Sequence, residues 1–379
     1  MKWENQYHEL DEIAKVLCSE RTRYYLWGTA NIAKNMLEIC GQEICIIGAV
    51  DANEGRWGQQ LGEFIVQSPD VLKPEDGYIV LVTTSSYSQV KQELAHKGFT
   101  ENINFFDYFV FHQIYQQYRH NRLYSRRIDI SLTERCTLKC RKCNMFMPYF
   151  KNPSDLALDD VQKQVDLYFD LIDYVESLNL LGGEPFLYGS LAEVIVYIGE
   201  NYRGKLEHFK IFTNGMILPD ERLIEAFLKY DVEIQISDYT CTVPYQKRLE
   251  QLRLLLETKG VRHYTEKNAE WGDFGFPEKP NEVADKDLVD FFENCKAPFR
   301  GLYKGRVYYC HLETSAVRAG LYGDNENDYF DLNEDDENTK RKFLEFDFGY
   351  SRDGAVSFCK VCRGCYPQNK ATVPCAEQM

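Results

Sequence analysis

The sequence predicts an α/β protein in which strand–helix units are followed by a cysteine-rich region. Three observations carry this: apolar runs of strand length that end at Gly, Asp or Cys, helical periodicity between them, and 13 cysteines gathered largely in two sets. At 379 residues the chain has room for two or three domains. Composition and pattern shifts place their boundaries at 1–125, 126–290 and 291–379.

The first region opens with Tyr24–Trp27, a short strand ending at Gly28, followed by helical periodicity over 30–39. Residues 43–50 (EICIIGAV) form an apolar run suited to a buried parallel strand and end at Asp51. Residues 77–84 form a third such strand, with a helix over 87–96. Strand, glycine, helix, strand and acidic residue is the order of a mononucleotide-binding half. The loop Trp27-Gly28-Thr29-Ala30-Asn31 carries one glycine where the dinucleotide fingerprint has three, so a Rossmann-like unit without a dinucleotide is expected. Asp51, with Glu54, Gly55 and Gly62, remains a candidate for holding a ribose or sugar hydroxyl. The aromatic stretch 99–118 reads as packing at a domain seam. The basic residues Arg119, His120, Arg122, Arg126 and Arg127 read as a solvated linker.

The middle region alternates strands (127–132, 177–181, 209–212, 232–236) with helices (158–176, 191–200), which predicts a parallel sheet or an open or closed barrel with its site at the strand C-termini. The last region has little periodicity and six cysteines, and its acidic tract 324–337 reads as an exposed loop.

The net charge of −15 argues against nucleic acid or an anionic membrane as main partner. The first residues lack a signal-peptide apolar stretch and no run of 18 apolar residues exists, so a cytoplasmic protein is expected. In a reducing compartment clustered cysteines point to metal binding or catalysis rather than disulfides.

Directly after the strand at 127–132 stand Cys136, Cys140 and Cys143, spaced C-x3-C-x2-C. Three thiolates on one loop can ligate three irons of a cubane cluster and leave the fourth open, whereas structural zinc normally takes four ligands. The triplet resembles the signature of the radical SAM superfamily. Gly182-Gly183-Glu184-Pro185 is similar to that family's motif for the methionyl amino group. Thr213-Asn214 and Ser237-Asp238 fall where its members contact S-adenosylmethionine. Lys142 departs from the pattern, which places an aromatic residue there beside the adenine.

The resemblance implies a partial (β/α)6 barrel, a [4Fe-4S] cluster, bound S-adenosylmethionine, and hydrogen abstraction from an unactivated C–H bond after reductive cleavage. An electron donor such as flavodoxin or ferredoxin is implied with it.

The second set is Cys295 and Cys310, with Gly305 between them, and the pair Cys359 and Cys362. It resembles the SPASM/Twitch extension of radical SAM enzymes in its single-auxiliary-cluster form, implying a second [4Fe-4S] cluster in a Twitch-like domain. A four-cysteine zinc knuckle is the competing reading. Cys365 can replace Cys359 as a ligand. Short patterns in the motif region and the tail are similar to polysaccharide-associated radical SAM proteins, which implies a sugar or nucleotide-sugar substrate.

Cys241, Cys365 and Cys375 are candidate thiol hydrogen donors, as an epimerase requires. His263 and His311 are candidate bases, and Glu266 and Asp273 carry less signal. Cys18, Cys40 and Cys45 read as small core residues. The expected activity is oxidation or epimerisation at a sugar or polyol carbon. The alternatives are a peptide-modifying maturase and a non-catalytic metal-binding scaffold.

Overall fold

The computed structural model describes residues 8–295, 299–334, 336–350, 353–365 and 369–379. The chain divides into two compact units, one running to Arg122 and the other from Leu123 onward.

In the first unit, α1 (His8–Leu17) precedes β1 (Arg23–Trp27), α2 (Asn31–Cys40), β2 (Cys45–Val50), β3 (Gln60–Leu61), β4 (Phe64–Gln67), β5 (Ile79–Val82), α3 (Tyr87–His96), β6 (Phe105–Asp107) and α4 (Tyr108–His120). The strands lie in the order β3-β4-β2-β1-β5-β6 and are parallel except for the β3–β4 hairpin. Every residue of β5 is buried, as an apolar run in a parallel sheet covered on both faces must be.

Gly28 turns the chain at φ 108°, and a Cβ there would stand 2.9 Å from the Thr83 carbonyl. The next residue explains what Asp51 does. Its carboxylate accepts from the Thr29 amide (3.1 Å), the Thr29 hydroxyl (2.6 Å) and the Asn53 amide (2.9 Å). The group set aside for a sugar hydroxyl is already engaged by its own glycine loop. The aromatic stretch, expected at a domain seam, packs inside this unit. Phe111 is fully buried, edge-on to Tyr24 and stacked on Tyr115. Arg119 and His120 form the last turn of α4 rather than a linker, and Asn121 ends the helix at φ 54°.

The second unit contains β7 (Tyr124–Ser131), α5 (Leu158–Leu171), β8 (Tyr174–Leu181), α6 (Leu191–Tyr202), β9 (Leu206–Thr213), α7 (Glu221–Lys229), β10 (Val232–Asp238), α8 (Gln246–Lys259), β11 (His263–Lys267), β12 (Glu270–Gly272), α9 (Leu288–Glu293), β13 (Arg300–Tyr303), β14 (Arg306–Tyr308), α10 (His311–Arg318), β15 (Tyr329–Asp331), α11 (Thr339–Asp347) and β16 (Thr372–Pro374). Five parallel strands, β7 to β11, are joined by four crossover helices. The sixth parallel partner is β13, which joins the free side of β7. It comes from the cysteine-rich region, so 291–379 shares one eight-stranded sheet, β11-β10-β9-β8-β7-β13-β14-β15, with the middle region. A separate small sheet pairs β12 with β16 antiparallel.

Alternation along the strands gives the sheet two unlike faces. Ile128, Ile130, Leu178, Leu180, Phe209, Ile211, Ile234 and Ile236 are fully buried on the face under the crossover helices. Each such side chain contributes about 1.5–3 kcal/mol by burial. The inner face carries polar residues instead. The acidic tract is not simply an exposed loop. It contains β15, Asp324 pairs with Arg306 (2.7 Å), and Asp328 is fully buried, accepting from the Ser357 amide (2.8 Å). Charge count alone cannot see these partners. Among the described residues no helix is long and apolar enough to cross a membrane.

Asp51→Ala removes one acceptor from three donors and is expected to cost about 1–3 kcal/mol. Chemical denaturation followed by the fluorescence of Trp27 and Trp57 checks this, and iron content should not change.

Candidate active site

Cys136, Cys140 and Cys143 lie on the loop that leaves β7. The loop is laid directly on the backbone after β8. The Gly183 amide donates to Thr133 O and the Glu184 amide to Arg135 O, both at 2.8 Å. A Cβ on Gly182 would stand 2.6 Å from Thr133 O, and one on Gly183 only 2.2 Å from Arg135 O. The glycines are required because two backbones meet there. Thr133 and Arg135 are fixed in turn by Asp155, at 2.6 Å from each.

Glu184 is fully buried. Its carboxylate accepts from the Phe186 amide (3.1 Å), the Thr213 hydroxyl (2.8 Å) and the Asn214 amide (2.9 Å). Burial pushes its carboxyl up to about 7, although these bonds oppose the shift. The motif glutamate therefore ties the end of β9 to the end of β8, and its Oε2, which accepts only the Asn214 amide, keeps capacity for a further donor. Asn214 extends the tie, donating to Thr137 Oγ1 (2.9 Å) and to Cys136 Sγ (3.7 Å). At the end of β10, Asp238 accepts from the Thr240 amide (2.8 Å) and lies 3.8 Å from Lys267. Ser237 offers its carbonyl to Tyr245. Lys142 is held by Glu278 (2.8 Å) and Asp273 (3.8 Å), and Asp273 also binds Arg363 (2.7 Å).

The three sulfurs suit thiolate ligation of a cluster. Two are met by N–H donors: Cys136 by Leu138 N (3.5 Å) and Asn214 (3.7 Å), and Cys140 by Gln378 Nε2 (3.4 Å). Burial pushes the Cys136 and Cys140 thiols up to about 12, and neighbouring thiols add to it. An iron cluster bound there would take the three as thiolate ligands and offset that repulsion. Cys136 and Cys143 pack with Met145, Met147, Leu181 and Phe212 in one apolar pocket. Among the described residues no three His, Cys, Asp or Glu side chains converge on a single ion position, and cubane thiolates each take a separate corner iron.

The second set also comes together. Burial, then the neighbouring Cys310, Cys295 and Cys362, push the Cys359 thiol well up. Cys310 and Cys362 reach about 12 by burial. Cys365 joins this set: its amide donates to Cys295 Sγ (3.5 Å). The residue advanced as a hydrogen donor is thus among the candidate ligands, beside Cys359 and Cys362. Cys375 is fully buried near Asp238, and Cys241 is exposed on the loop after β10.

Below the cysteine loop, the inner face of the strands holds a polar network of which the sequence singles out only His311 and Glu266. Asp129, in β7, accepts from Arg127 Nε (2.7 Å), Asn179 Nδ2 (2.7 Å) and His311 Nδ1 (3.0 Å). Arg127 is no linker residue: its guanidinium lies over Phe299 (4.2 Å) and Phe212 (5.5 Å). Further along the same face Gln235 donates to Glu266 (2.7 Å) and accepts from Tyr264. Burial opposes ionisation of Asp129, but Arg127 and the His311 bond outweigh it and hold the carboxyl at about 2. With its Nδ1 donating to Asp129, His311 presents a buried Nε2 that has no partner among the described residues. His263 sits at the opposite, N-terminal end of β11, bonded to Val261 O. The available signal was the run Arg127-Ile-Asp129-Ile-Ser131, with two charges on one face of an apolar strand.

Residues 130–262 match the model of the Radical SAM superfamily, and this stretch is a radical SAM domain. Such a domain is built for a [4Fe-4S] cluster and S-adenosylmethionine. Among curated proteins, the chain is similar to an S-adenosylmethionine-dependent nucleotide dehydratase of Selenomonas ruminantium (27% identical over 109 residues, 28% of this chain and 36% of the relative). It is also similar to the GTP 3′,8-cyclase of Aquifex aeolicus (27% over 190 residues, 46% of this chain and 54% of the relative). The chain thus spans about a third to a half of these relatives. Among solved structures, BtrN in complex with AdoMet and 2-DOIA aligns with 66% of this chain and 98% of its own at 13% identity and a TM-score of 0.38, too distant to assign a substrate.

Gly183→Ala is expected to cost about 1–3 kcal/mol by overpacking the seam and to lower the iron retained on reconstitution, measured by denaturation and iron assay. The Asp129 carboxyl lies below its ordinary 3.8, so its stabilisation is complete above that pH and is lost as pH falls toward 2. Asp129→Asn is therefore expected to remove about 2 kcal/mol at neutral pH and to flatten acid denaturation between pH 4 and 2.

Proposed function

We propose that the chain is a radical SAM enzyme that oxidises a secondary alcohol of a sugar, polyol or nucleotide-sugar. The observation that carries this is the polar inner face below the cysteine loop, where Arg127, Asp129, Asn179, Gln235, Tyr264, Glu266 and His311 lie together. A substrate rich in hydroxyls needs such a set of donors and acceptors, because each buried hydroxyl left unmatched costs about 1–3 kcal/mol.

Cys136, Cys140 and Cys143 would hold the cluster, which with S-adenosylmethionine and one electron from a reductant would supply hydrogen abstraction from an unactivated C–H bond. The chain supplies the rest. Gly182, Gly183 and Pro185 shape the cofactor's resting place, and Glu184 holds Thr213 and Asn214 in register. Ser237 and Asp238 border it on the far side. His311 Nε2 offers an acceptor to a substrate hydroxyl, and Asp129 fixes the ring. A second [4Fe-4S] cluster on Cys295, Cys310, Cys362 and either Cys359 or Cys365 would receive the remaining electron.

Oxidation is favoured over epimerisation by the base that is in place, His311 Nε2 on the inner face. Of the three candidate thiols, Cys365 is among the auxiliary cysteines and Cys241 is exposed on a loop, which leaves Cys375, buried beside Asp238, as the donor an epimerase would use. The nucleotide substrates in the relatives' names support including nucleotide-linked sugars among the candidates.

Anaerobic reconstitution should load about eight irons per chain, and Cys136→Ala should lose about half. Reductant and S-adenosylmethionine should yield 5′-deoxyadenosine, and a sugar candidate should yield a ketone without solvent deuterium at carbon. Deuterium incorporation would establish epimerisation instead. Turnover only with peptides would establish a maturase, and a zinc-only preparation a scaffold.

A further inference from the structure

The segment Thr372–Met379 lies along the first cysteine loop, although the two are more than two hundred positions apart. β16 anchors it on β12 through the pairs Glu270↔Pro374 and Gly272↔Thr372. The Cys375 amide then donates to Ala269 O (3.0 Å), and the Thr242 hydroxyl donates to Cys375 O. Cys375 and Ala376 are fully buried. Beyond them the segment forms an antiparallel bridge, Cys140↔Gln378. The Arg141 amide donates to Glu377 O (2.7 Å), and the Met379 amide donates to Lys139 O (2.9 Å).

The side chain of Gln378 makes the contact that matters chemically. Its Oε1 accepts from the Lys139 amide (2.8 Å). Its Nε2 donates to Ala376 O (2.7 Å) and to Cys140 Sγ (3.4 Å). Exchanging the two ends of the amide would set an oxygen against two acceptors and a nitrogen against a donor, so the surroundings fix the orientation. An N–H donor is therefore held on the sulfur of Cys140 by two further bonds that involve no metal.

We propose that Thr372–Met379 is a strap that positions the cysteine loop, and that Gln378 tunes the cluster held there through its bond to Cys140. A reduced cluster carries one more negative charge than an oxidised one, so a donor on a ligating sulfur stabilises the reduced form and raises the reduction potential. Gln378 is a positioning residue. It acts through Cys140 and requires no contact with substrate, so the inference stands apart from the identity of the substrate.

The test has two parts on the full chain. In the metal-free protein, hydrogen exchange should quicken about tenfold or more at the Lys139 amide alone in Gln378→Ala, and at both Lys139 and Arg141 when 372–379 are deleted. In the reconstituted protein, an EPR-monitored redox titration follows the cluster whose signal changes on adding S-adenosylmethionine. Gln378→Ala should move its midpoint to more negative potential, and Gln378→Glu should move it further because a carboxylate faces the sulfur. Iron content should hold in both, since the backbone bonds of Arg141 and Met379 remain. Unchanged exchange at Lys139 and Arg141 on deletion would overturn the strap. An unchanged midpoint in both point variants would overturn the tuning.

Discussion

Two backbones pressed together without side chains between them determine what can stand at the strand ends. The turn after β8 can lie on the loop after β7 only because residues 182 and 183 have no Cβ, and the amides of Gly183 and Glu184 then bond the carbonyls of Thr133 and Arg135. Once that seam is closed, Glu184 is carried inward and must find partners. It finds Thr213 and Asn214, which brings β9 into register. Asn214 in turn reaches Thr137 and Cys136. The cysteine loop is thus held by a chain of bonds running across three parallel strands, and the Cys136 sulfur gains Asn214 as a fixed donor.

The motifs of this site are local, and local order is what a sequence displays. Cys136, Cys140 and Cys143 fall within eight residues, and the two glycines, Glu184 and the Thr213-Asn214 pair each follow an apolar strand that announces its own end. What the sequence conceals is which partner a polar residue finds. Arg127 reads as part of a basic linker because its neighbours in sequence are basic, yet the pleat turns it inward beside Asp129. Asp129 and His311 are 182 positions apart, and no spacing rule joins them. The acidic tract reads as solvated for the same reason: Asp328 is buried by Ser357, 29 residues later.

Asp51 illustrates how a correct topology can coexist with a different use of the residue. The order of strands, glycine and acid in the first unit is that of a nucleotide-binding half, and the sheet follows it. The carboxylate nevertheless closes on Thr29 and Asn53. Oδ2 takes both Thr29 donors and Oδ1 the Asn53 amide, so the carboxylate serves the loop itself, and the topology alone confers no binding site. The second unit makes the complementary point. Composition and the loss of periodicity set 291–379 apart in the sequence, yet β13 from that stretch pairs with β7 and the hydrogen-bond ladder runs on through it.

The distance along the chain between Cys140 and Gln378 has a consequence for biosynthesis. The loop and the strand ends around it are complete once β11 has emerged, while the segment that covers the loop arrives more than a hundred residues later. At about 5–20 residues per second that interval lasts several seconds. During it the loop lacks the bonds that Glu377, Gln378 and Met379 make to Arg141, Cys140 and Lys139, so chain order itself makes the docking of 372–379 a late step in assembling the site.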